Sequence, residues 1–179
     1  MIIDGKIFVI TGAGSGIGRA LAQNLSAQGA RLVLADLNDE GLQTTQATLS
    51  HPGHARCVTG DITQAEIRQQ IIDTATRGFG GIDALVNNAG ILHRASLFDE
   101  TPAGFESSWR VNCLGPFLGI RAALPLLRRA DGAAIVNTCS TGAIRPFPNN
   151  AAYGSWKGEL RGLTQVAAAA LGPAGIRVH

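Results

Sequence analysis

The chain alternates short apolar runs with longer amphipathic segments, and this alternation limits the folds open to it. The runs are aliphatic or β-branched, as expected of strands buried on both faces of a parallel sheet. Six strands are predicted, at residues 7–10, 31–35, 55–59, 82–86, 133–137 and 176–178. Helices are predicted at residues 16–28, 39–49, 63–77, 102–129 and 152–171. Repeated strand–helix alternation predicts a doubly wound α/β sheet with right-handed crossovers.

Two of the predicted helices begin with capping signals. Thr63 and Glu66 form a capping-box pattern, and Thr101 precedes a proline suited to the first helical position. No linker, repeat or low-complexity tract interrupts the pattern, so residues 1–179 are predicted to form one domain. Because the last predicted strand runs to the end of the sequence, we expect this domain to be incomplete and to continue past His179.

Composition excludes several classes of protein. Hydrophobic residues make up 45% of the chain, charged residues 16%, and the 23 glycines suit tight connections around a buried sheet. The net charge of +2 comes from scattered arginines, which argues against a nucleic-acid surface. Asp4 and Lys6 interrupt the amino end, so no signal peptide is predicted, and the apolar runs are too short for a membrane helix. Three widely spaced cysteines, Cys57, Cys113 and Cys139, favour a reducing, cytoplasmic location over a disulfide framework.

The first predicted strand leads into TGAGSGIG, residues 11–18, and a helix follows. Such a turn presents backbone N–H groups and a helix N-terminus to a phosphate. Glycine lets a pyrophosphate approach the backbone closely. The glycines at 12, 16 and 18 do not give the literal G-x-G-x-x-G pattern, so a plain glycine-rich turn remains the alternative.

Asp36 ends the second predicted strand, twenty positions after Gly16. An acidic side chain there can accept hydrogen bonds from an adenosine ribose, and its charge repels a 2′-phosphate. Neither Ser15 nor Leu37 supplies a cation that would hold such a phosphate. The pattern therefore favours NAD over NADP, with a solvated turn residue as the alternative.

With these features in view, the sequence resembles the short-chain dehydrogenase/reductase family over essentially its whole length. The motifs that carry the resemblance occur in the family's order: TGAGSGIG at 11–18, NNAG at 87–90, Asn112, Ser140, Tyr153 and Lys157. The resemblance implies a Rossmann-type sheet with helices on both faces and with its last strands missing. It also implies a homodimer or homotetramer in the full-length form.

The resemblance implies a catalytic role for four residues. Tyr153 would be the acid–base group and Lys157, one helical turn away, would supply an ammonium that favours its phenolate. Ser140 would hydrogen-bond the reacting oxygen. Asn112 would hold a water that links Lys157 to solvent.

Cofactor contacts follow from the same resemblance. Asp61 would contact adenine, and residues 88–90 would line the adenosine-side ribose, although Asn87 and Asn88 could equally tie strand ends together. The residues expected to bind NAD are Gly12, Ser15, Gly16, Ile17, Gly18, Asp36, Asp61, Ile62, Asn88, Ala89, Gly90, Tyr153 and Lys157.

Other polar clusters carry weaker signals. His51, His54 and Cys57 are spaced like metal ligands, but a loop with only three donor side chains is a poor zinc site, so we predict no metal. Ser140 lacks the G-x-S-x-G context of a hydrolase nucleophile. His93 and Arg94 follow NNAG and could border the substrate or simply lie on the surface.

Two departures from the family pattern stand out. Trp156 occupies a position where the family usually has a small residue, which puts the usual dimer contact in doubt. The segments that normally follow residue 179, including a lid over the substrate, are not in the sequence.

The resulting hypothesis is an enzyme that transfers a hydride between NAD(H) and a small to medium secondary alcohol or ketone. One alternative is a 3-oxoacyl thioester reductase of the same family, which Asp36 disfavours because that chemistry usually draws on NADPH. The other is a truncated nucleotide-binding domain without turnover. We expect no nucleic-acid or membrane partner.

Overall fold

A computed structural model of the chain describes residues 2–145 and 147–179. Six strands form one parallel sheet in the order β3-β2-β1-β4-β5-β6. The strands are β1 (Ile7–Thr11), β2 (Arg31–Asp36), β3 (Ala55–Thr59), β4 (Ala84–Asn87), β5 (Ala134–Asn137) and β6 (Arg177–Val178). The helices are α1 (Gly16–Ala27), α2 (Asp39–Ala47), α3 (Ala65–Phe79), α4 (Pro102–Trp109), α5 (Gly115–Leu127) and α6 (Ala151–Leu171). The predicted doubly wound α/β sheet is confirmed.

Helices cover both faces of the sheet because successive side chains of a strand point to opposite faces. In β1, Phe8 and Ile10 join a buried cluster with Leu25 of α1 and Leu42 of α2. Val9 joins the other cluster, to which α3, α5 and α6 contribute. Strands buried on both faces explain why their sequences are continuously apolar rather than alternating.

The start of β4 differs from the prediction. The strand begins at Ala84 rather than Ile82, and the Asp83 side chain just before it bonds to the start of β1. Its carboxylate accepts hydrogen bonds from the Lys6 ammonium at 2.9 Å and from the Ile7 backbone N–H at 2.9 Å. Asp83 therefore ties the entrances of β1 and β4 together.

The predicted capping box at Thr63 and Glu66 is wrong, whereas the cap at Thr101 is confirmed. Helix α3 begins at Ala65 with Gln64 at the N-cap position and no side-chain capping bond. The Thr63 N–H instead donates to Asp61 Oδ1 at 2.8 Å, which closes a turn before the helix. At α4, the Thr101 hydroxyl accepts a hydrogen bond from the Gly104 N–H at 3.0 Å.

The predicted helix 102–129 is divided into α4 and α5 by a π-helical turn, Arg110–Leu114. Pro116 explains this division. A proline has no N–H and its ring collides with the carbonyl four residues earlier, which here belongs to Asn112. The Gly115 N–H bonds to the carbonyl of Arg110, five residues back. This one turn therefore contains an extra residue compared with an α-helical turn.

Trp156 lies between α6 and α4 of its own chain. Its indole N–H donates to the Phe105 carbonyl at 2.9 Å, and its ring packs 4.4 Å from the Phe105 ring, centroid to centroid. The Trp109 ring lies 6.4 Å away. The large side chain thus fixes the first half of α6, which carries residues of the candidate site.

Among the described residues, no helix is both long enough and apolar enough to cross a membrane.

Candidate active site

A cleft of about 410 Å³ opens at the carboxyl ends of the strands. It lies at the end of β1, where the strand order reverses: β2 pairs with one side of β1 and β4 pairs with the other. Parallel sheets bind ligands at such a switch point because the loops diverge there. Most of the predicted cofactor residues line this cleft: Gly12, Ser15, Gly16, Ile17, Asp36, Asp61, Ile62, Asn88, Ala89, Gly90, Tyr153 and Lys157.

The glycine loop needs glycine at specific points. Gly12 and Gly16 have φ angles of +67° and +50°, which other residues rarely adopt. A Cβ atom on Gly12 would also lie 2.8 Å from the Cα atom of Ala89. Gly18 is the one predicted cofactor glycine that does not line the cleft, since a Cβ on it would overlap the Gly12 carbonyl oxygen. Gly18 lets α1 pack tightly against the loop.

Asp36 is held in place by backbone donors. Its Oδ2 accepts the Gly14 N–H at 2.8 Å, and its Oδ1 accepts the Asn38 N–H at 3.0 Å. A Cβ on Gly14 would lie only 2.9 Å from the Asp36 carboxyl carbon, so the carboxylate lies directly against the loop. The Arg19 guanidinium bonds to the Gly14 carbonyl and, at 3.0 Å, to Thr45 Oγ1, and so anchors the loop to α2.

Asn88 resolves an alternative left open by the sequence. Its amide nitrogen donates to the carbonyls of Thr11 and Gly12, each at 3.1 Å, and its carbonyl oxygen accepts from the Thr138 hydroxyl at 3.3 Å. Its side chain therefore ties the ends of β1, β4 and β5 together. Asn87 has a similar role, because it donates to Asn137 Oδ1 at 2.9 Å within the buried sheet. Asn88 also lines the cleft, so structural support and cleft contact coexist there.

Tyr153 and Lys157 lie one turn apart on α6. Lys157 is only 3% exposed, and its Nζ lies 5.8 Å from the centroid of the Tyr153 ring. The ammonium donates to the Thr138 carbonyl at 2.7 Å. Burial lowers the pKa of Lys157, partly offset by Cys139 and Cys113, which raise it. The cleft thus contains a phenol beside a desolvated amino group.

Asn112 and Ser140 do not line the cleft directly. Asn112 is fully buried in the π-helical turn; its amide donates to the Ile91 carbonyl at 2.9 Å and accepts from the Ile91 N–H at 3.2 Å. The regular donor to its own backbone carbonyl would be residue 116, which is a proline. Ser140 Oγ accepts the Gly142 N–H at 3.1 Å, in a turn that packs beside Gly154, the neighbour of Tyr153.

Several residues of the cleft escaped prediction from the sequence. Each follows or adjoins a strand end or a motif, which is the signal that could have identified them. They are Leu37, Gly60, Ile91, Leu92, Val111 and Thr138.

The histidine–cysteine cluster lies apart from the cleft. The His51 and His54 rings are exposed and 5.5 Å apart, while the Cys57 thiol is directed toward Gln46 Oε1 at 3.6 Å. Within residues 2–145 and 147–179, no group of three or more metal-ligating side chains comes together.

The cleft combines a glycine-rich loop at the N-terminus of α1, the carboxylate of Asp36 and the phenol of Tyr153. The family model for short chain dehydrogenases matches residues 6–179. The chain belongs to the short-chain dehydrogenase family. The solved structure of levodione reductase is similar to this chain, with a TM-score of 0.93 and 34% identity. The match covers 98% of this chain and 69% of the levodione reductase chain.

Curated short-chain dehydrogenases show the same level of similarity. Levodione reductase of Leifsonia aquatica is 35% identical over 178 residues, 97% of this chain and 67% of that protein. The 2,5-dichloro-2,5-cyclohexadiene-1,4-diol dehydrogenase LinX of Sphingobium indicum is 34% identical over 178 residues, which are 99% of this chain and 71% of that protein. Trans-4-hydroxycyclohexanecarboxylate dehydrogenase of Sinomonas cyclohexanicum is 37% identical over 186 aligned positions, which cover 97% of this chain and 70% of that protein. These relatives are therefore oxidoreductases of hydroxy or keto compounds.

Proposed function

We propose that this short-chain dehydrogenase interconverts a secondary alcohol and a ketone with NAD(H). The observation that carries the proposal is the pairing of Tyr153 with the buried Lys157, in the same cleft as the glycine loop and Asp36. Such a cleft can hold a dinucleotide at one end and a small alcohol at the other. The whole of residues 1–179 would then act as one dinucleotide-binding domain.

The chain's own residues provide the proton chemistry in this proposal. Tyr153 takes the hydroxyl proton during oxidation and returns it during reduction. Lys157 favours the phenolate and would hold the ribose of a bound cofactor by a hydrogen bond, while Ser140 would donate a hydrogen bond to the reacting oxygen. Asn112 holds a water through its backbone carbonyl, for which Pro116 offers no N–H. Bound NAD supplies the hydride acceptor.

The dinucleotide fits the residues present. The loop from Gly12 to Gly18 leads into the N-terminus of α1, and the Ser15 side chain makes no capping bond there. Gly18 is proposed to support the cofactor contacts by packing against the loop, and the predicted residues that line the cleft are proposed as those contacts: Gly12, Ser15, Gly16, Ile17, Asp36, Asp61, Ile62, Asn88, Ala89, Gly90, Tyr153 and Lys157.

The substrate proposal draws on the relatives. Two of them are named for a cyclohexane or cyclohexadiene ring that carries a hydroxyl and a second oxygen-containing group. Leu92, which lines the cleft, is an exposed apolar side chain, as are Ile144 and Phe147 on the segment between Ser140 and Tyr153; they offer a surface for a hydrocarbon ring. We propose a small to medium alicyclic secondary alcohol or its ketone.

Assembly and location belong to the same proposal. Exposed apolar side chains on the helices, Phe117 of α5 and Val166 of α6, support association into a homodimer or homotetramer. Three free cysteines, Cys57, Cys113 and Cys139, support a reducing cytoplasmic location.

The choice of cofactor tests the proposal. We expect NADH to bind at least about tenfold more tightly than NADPH, because Asp36 accepts ribose hydroxyls and repels a 2′-phosphate. Asp36→Ala should narrow that ratio, whereas Asp39→Ala, which removes the same charge outside the cleft, should leave it unchanged. Fluorescence titration with both cofactors measures the ratio. Equal affinity of the unmutated protein for NADH and NADPH would contradict the proposal.

Turnover is tested separately with cyclic and acyclic secondary alcohols and NAD, followed by absorbance of NADH. We expect cyclic alcohols to be oxidised faster than acyclic ones of equal carbon number. An absence of turnover with the whole panel, despite cofactor binding, would contradict the proposed reaction.

A further inference from the structure

Glu100 is a buried carboxylate in contact with His93, and its hydrogen bonds are incomplete. Its side chain is only 5% exposed. One oxygen, Oε1, accepts the Thr101 N–H at 3.0 Å and lies 3.2 Å from His93 Nε2. The other, Oε2, is buried and has no hydrogen-bond partner within the described part of the chain. Burying a carboxylate is costly, so a specific use for its charge is expected.

The contact with Glu100 orients the His93 ring. An ionised carboxylate can only accept hydrogen bonds, so the ring nitrogen that faces it, Nε2, carries the proton. In the neutral ring, Nδ1 is then an acceptor. Among the described residues, no side chain or backbone group bonds to Nδ1, and the His93 side chain is 45% exposed. The ring therefore offers an acceptor to a ligand.

The loop that carries His93 is fixed at both ends. On one side, the Asn112 side chain bonds to both backbone polar groups of Ile91. On the other, the Ala95 carbonyl accepts the Ala151 N–H at 3.2 Å, at the start of α6. His93 is thereby held in a defined position relative to the helix that carries Tyr153, as a ligand-orienting group should be.

His93 follows two apolar residues of the cleft, on a loop that also carries two exposed apolar side chains. Ile91 and Leu92, immediately before it, line the cleft. Leu97 and Phe98, on the same loop, are 81% and 98% exposed. A small number of polar groups in an apolar site typically determine which way a ligand is oriented.

We propose that His93, positioned by Glu100, accepts a hydrogen bond from a second hydroxyl group of the substrate, remote from the carbon that is oxidised. His93 is then a specificity-determining residue and Glu100 a positioning residue. This inference rests on the proposed alcohol oxidation. It narrows the substrate class to secondary alcohols with a second hydroxyl group.

The test compares three alcohols that share one ring: trans-cyclohexane-1,4-diol, trans-4-methylcyclohexanol and cyclohexanol. With NAD, the unmutated protein should show the highest kcat/KM for the diol. His93→Ala should lower kcat/KM for the diol about tenfold, the effect of losing one hydrogen bond, and change the other two less than about twofold. His93→Gln, which restores an acceptor oxygen, should recover part of the loss.

Glu100→Ala tests the positioning role. It should lower kcat/KM for the diol and leave the values for cyclohexanol and trans-4-methylcyclohexanol within about twofold, whereas a merely structural role would lower all three together. The melting temperature of each variant shows whether it is folded.

The outcomes separate this inference from the proposed function. If the unmutated protein oxidises all three alcohols equally well, or if His93→Ala lowers all three alike, the role of His93 is refuted while the alcohol oxidation stands. If no alcohol of any kind is oxidised although NADH binds, the proposed function fails, and the inference fails with it.

Discussion

At the scale of single residues, the buried amino group of Lys157 lowers the free energy of unfolding, because burial disfavours its charged form. The residue is 3% exposed, and its ammonium donates a hydrogen bond to the Thr138 carbonyl. Burial disfavours the charged form, which lowers the pKa of Lys157 below its ordinary value of 10.5. In the proposed reaction this charge serves Tyr153, whose ring centroid lies 5.8 Å from Lys157 Nζ.

This lowered pKa predicts a pH dependence of stability. Between the lowered pKa and about 10.5, the unfolded chain binds a proton at Lys157 that the folded protein does not, so the free energy of unfolding rises with pH in that window. Lys157→Met should remove this contribution, at a pH-independent cost of about 1–3 kcal/mol for the unpaired Thr138 carbonyl.

Urea unfolding of both proteins from pH 7 to 10 measures the effect. The difference in free energy of unfolding, unmutated protein minus Lys157→Met, should grow with pH. A difference that is constant or falls with pH would contradict the assigned burial of the ammonium.

At the scale of elements, the glycine loop and α1 depend on close backbone contact. Gly18 allows the first turn of α1 to lie against the Gly12 carbonyl, where any side chain would overlap. This contact fixes the direction of the first-turn N–H groups that would face a phosphate. Gly18 thus affects binding without lining the cleft.

Gly18→Ala should therefore destabilise the fold by about 1–3 kcal/mol and weaken NADH binding. Gly162→Ala is the matched control, since its Cβ would meet no atom within 4 Å in the middle of α6. That substitution should stabilise the protein by about 0.5–1 kcal/mol and leave binding unchanged. Thermal unfolding and fluorescence titration measure both quantities; equal behaviour of the two variants would refute the packing role of Gly18.

Helix boundaries show which parts of an element can be predicted from the sequence. The cap at Thr101 depends only on its neighbours, and it was predicted correctly. The cap at Thr63 was wrong because Asp61 competes for its N–H. The break at residues 110–114 was missed although Pro116 is visible in the sequence, because the response of the helix to a proline depends on tertiary packing.

At the scale of the whole molecule, the strand order creates the cleft. The apolar runs predicted the strands, but their order in the sheet is fixed by crossovers that no local pattern specifies. Asp36 was predicted from its place at the end of a strand, and Tyr153 from the resemblance to the family's motifs. Thr138 and Leu92 were not, because their place in the cleft depends on how distant loops meet.

In the proposed reaction, Tyr153 exchanges the substrate proton in a cleft that binds NAD independently of this residue. The direct test is Tyr153→Phe, which removes one hydroxyl and keeps the ring. Ser155→Ala, which removes an exposed hydroxyl from the same helix, is the control.

We predict that Tyr153→Phe binds NADH within about twofold of the unmutated protein, while its NAD-dependent oxidation of a cyclic alcohol falls by about 10²- to 10⁴-fold. Ser155→Ala should match the unmutated protein in both measurements. Oxidation by Tyr153→Phe at the rate of the unmutated protein would contradict the claim.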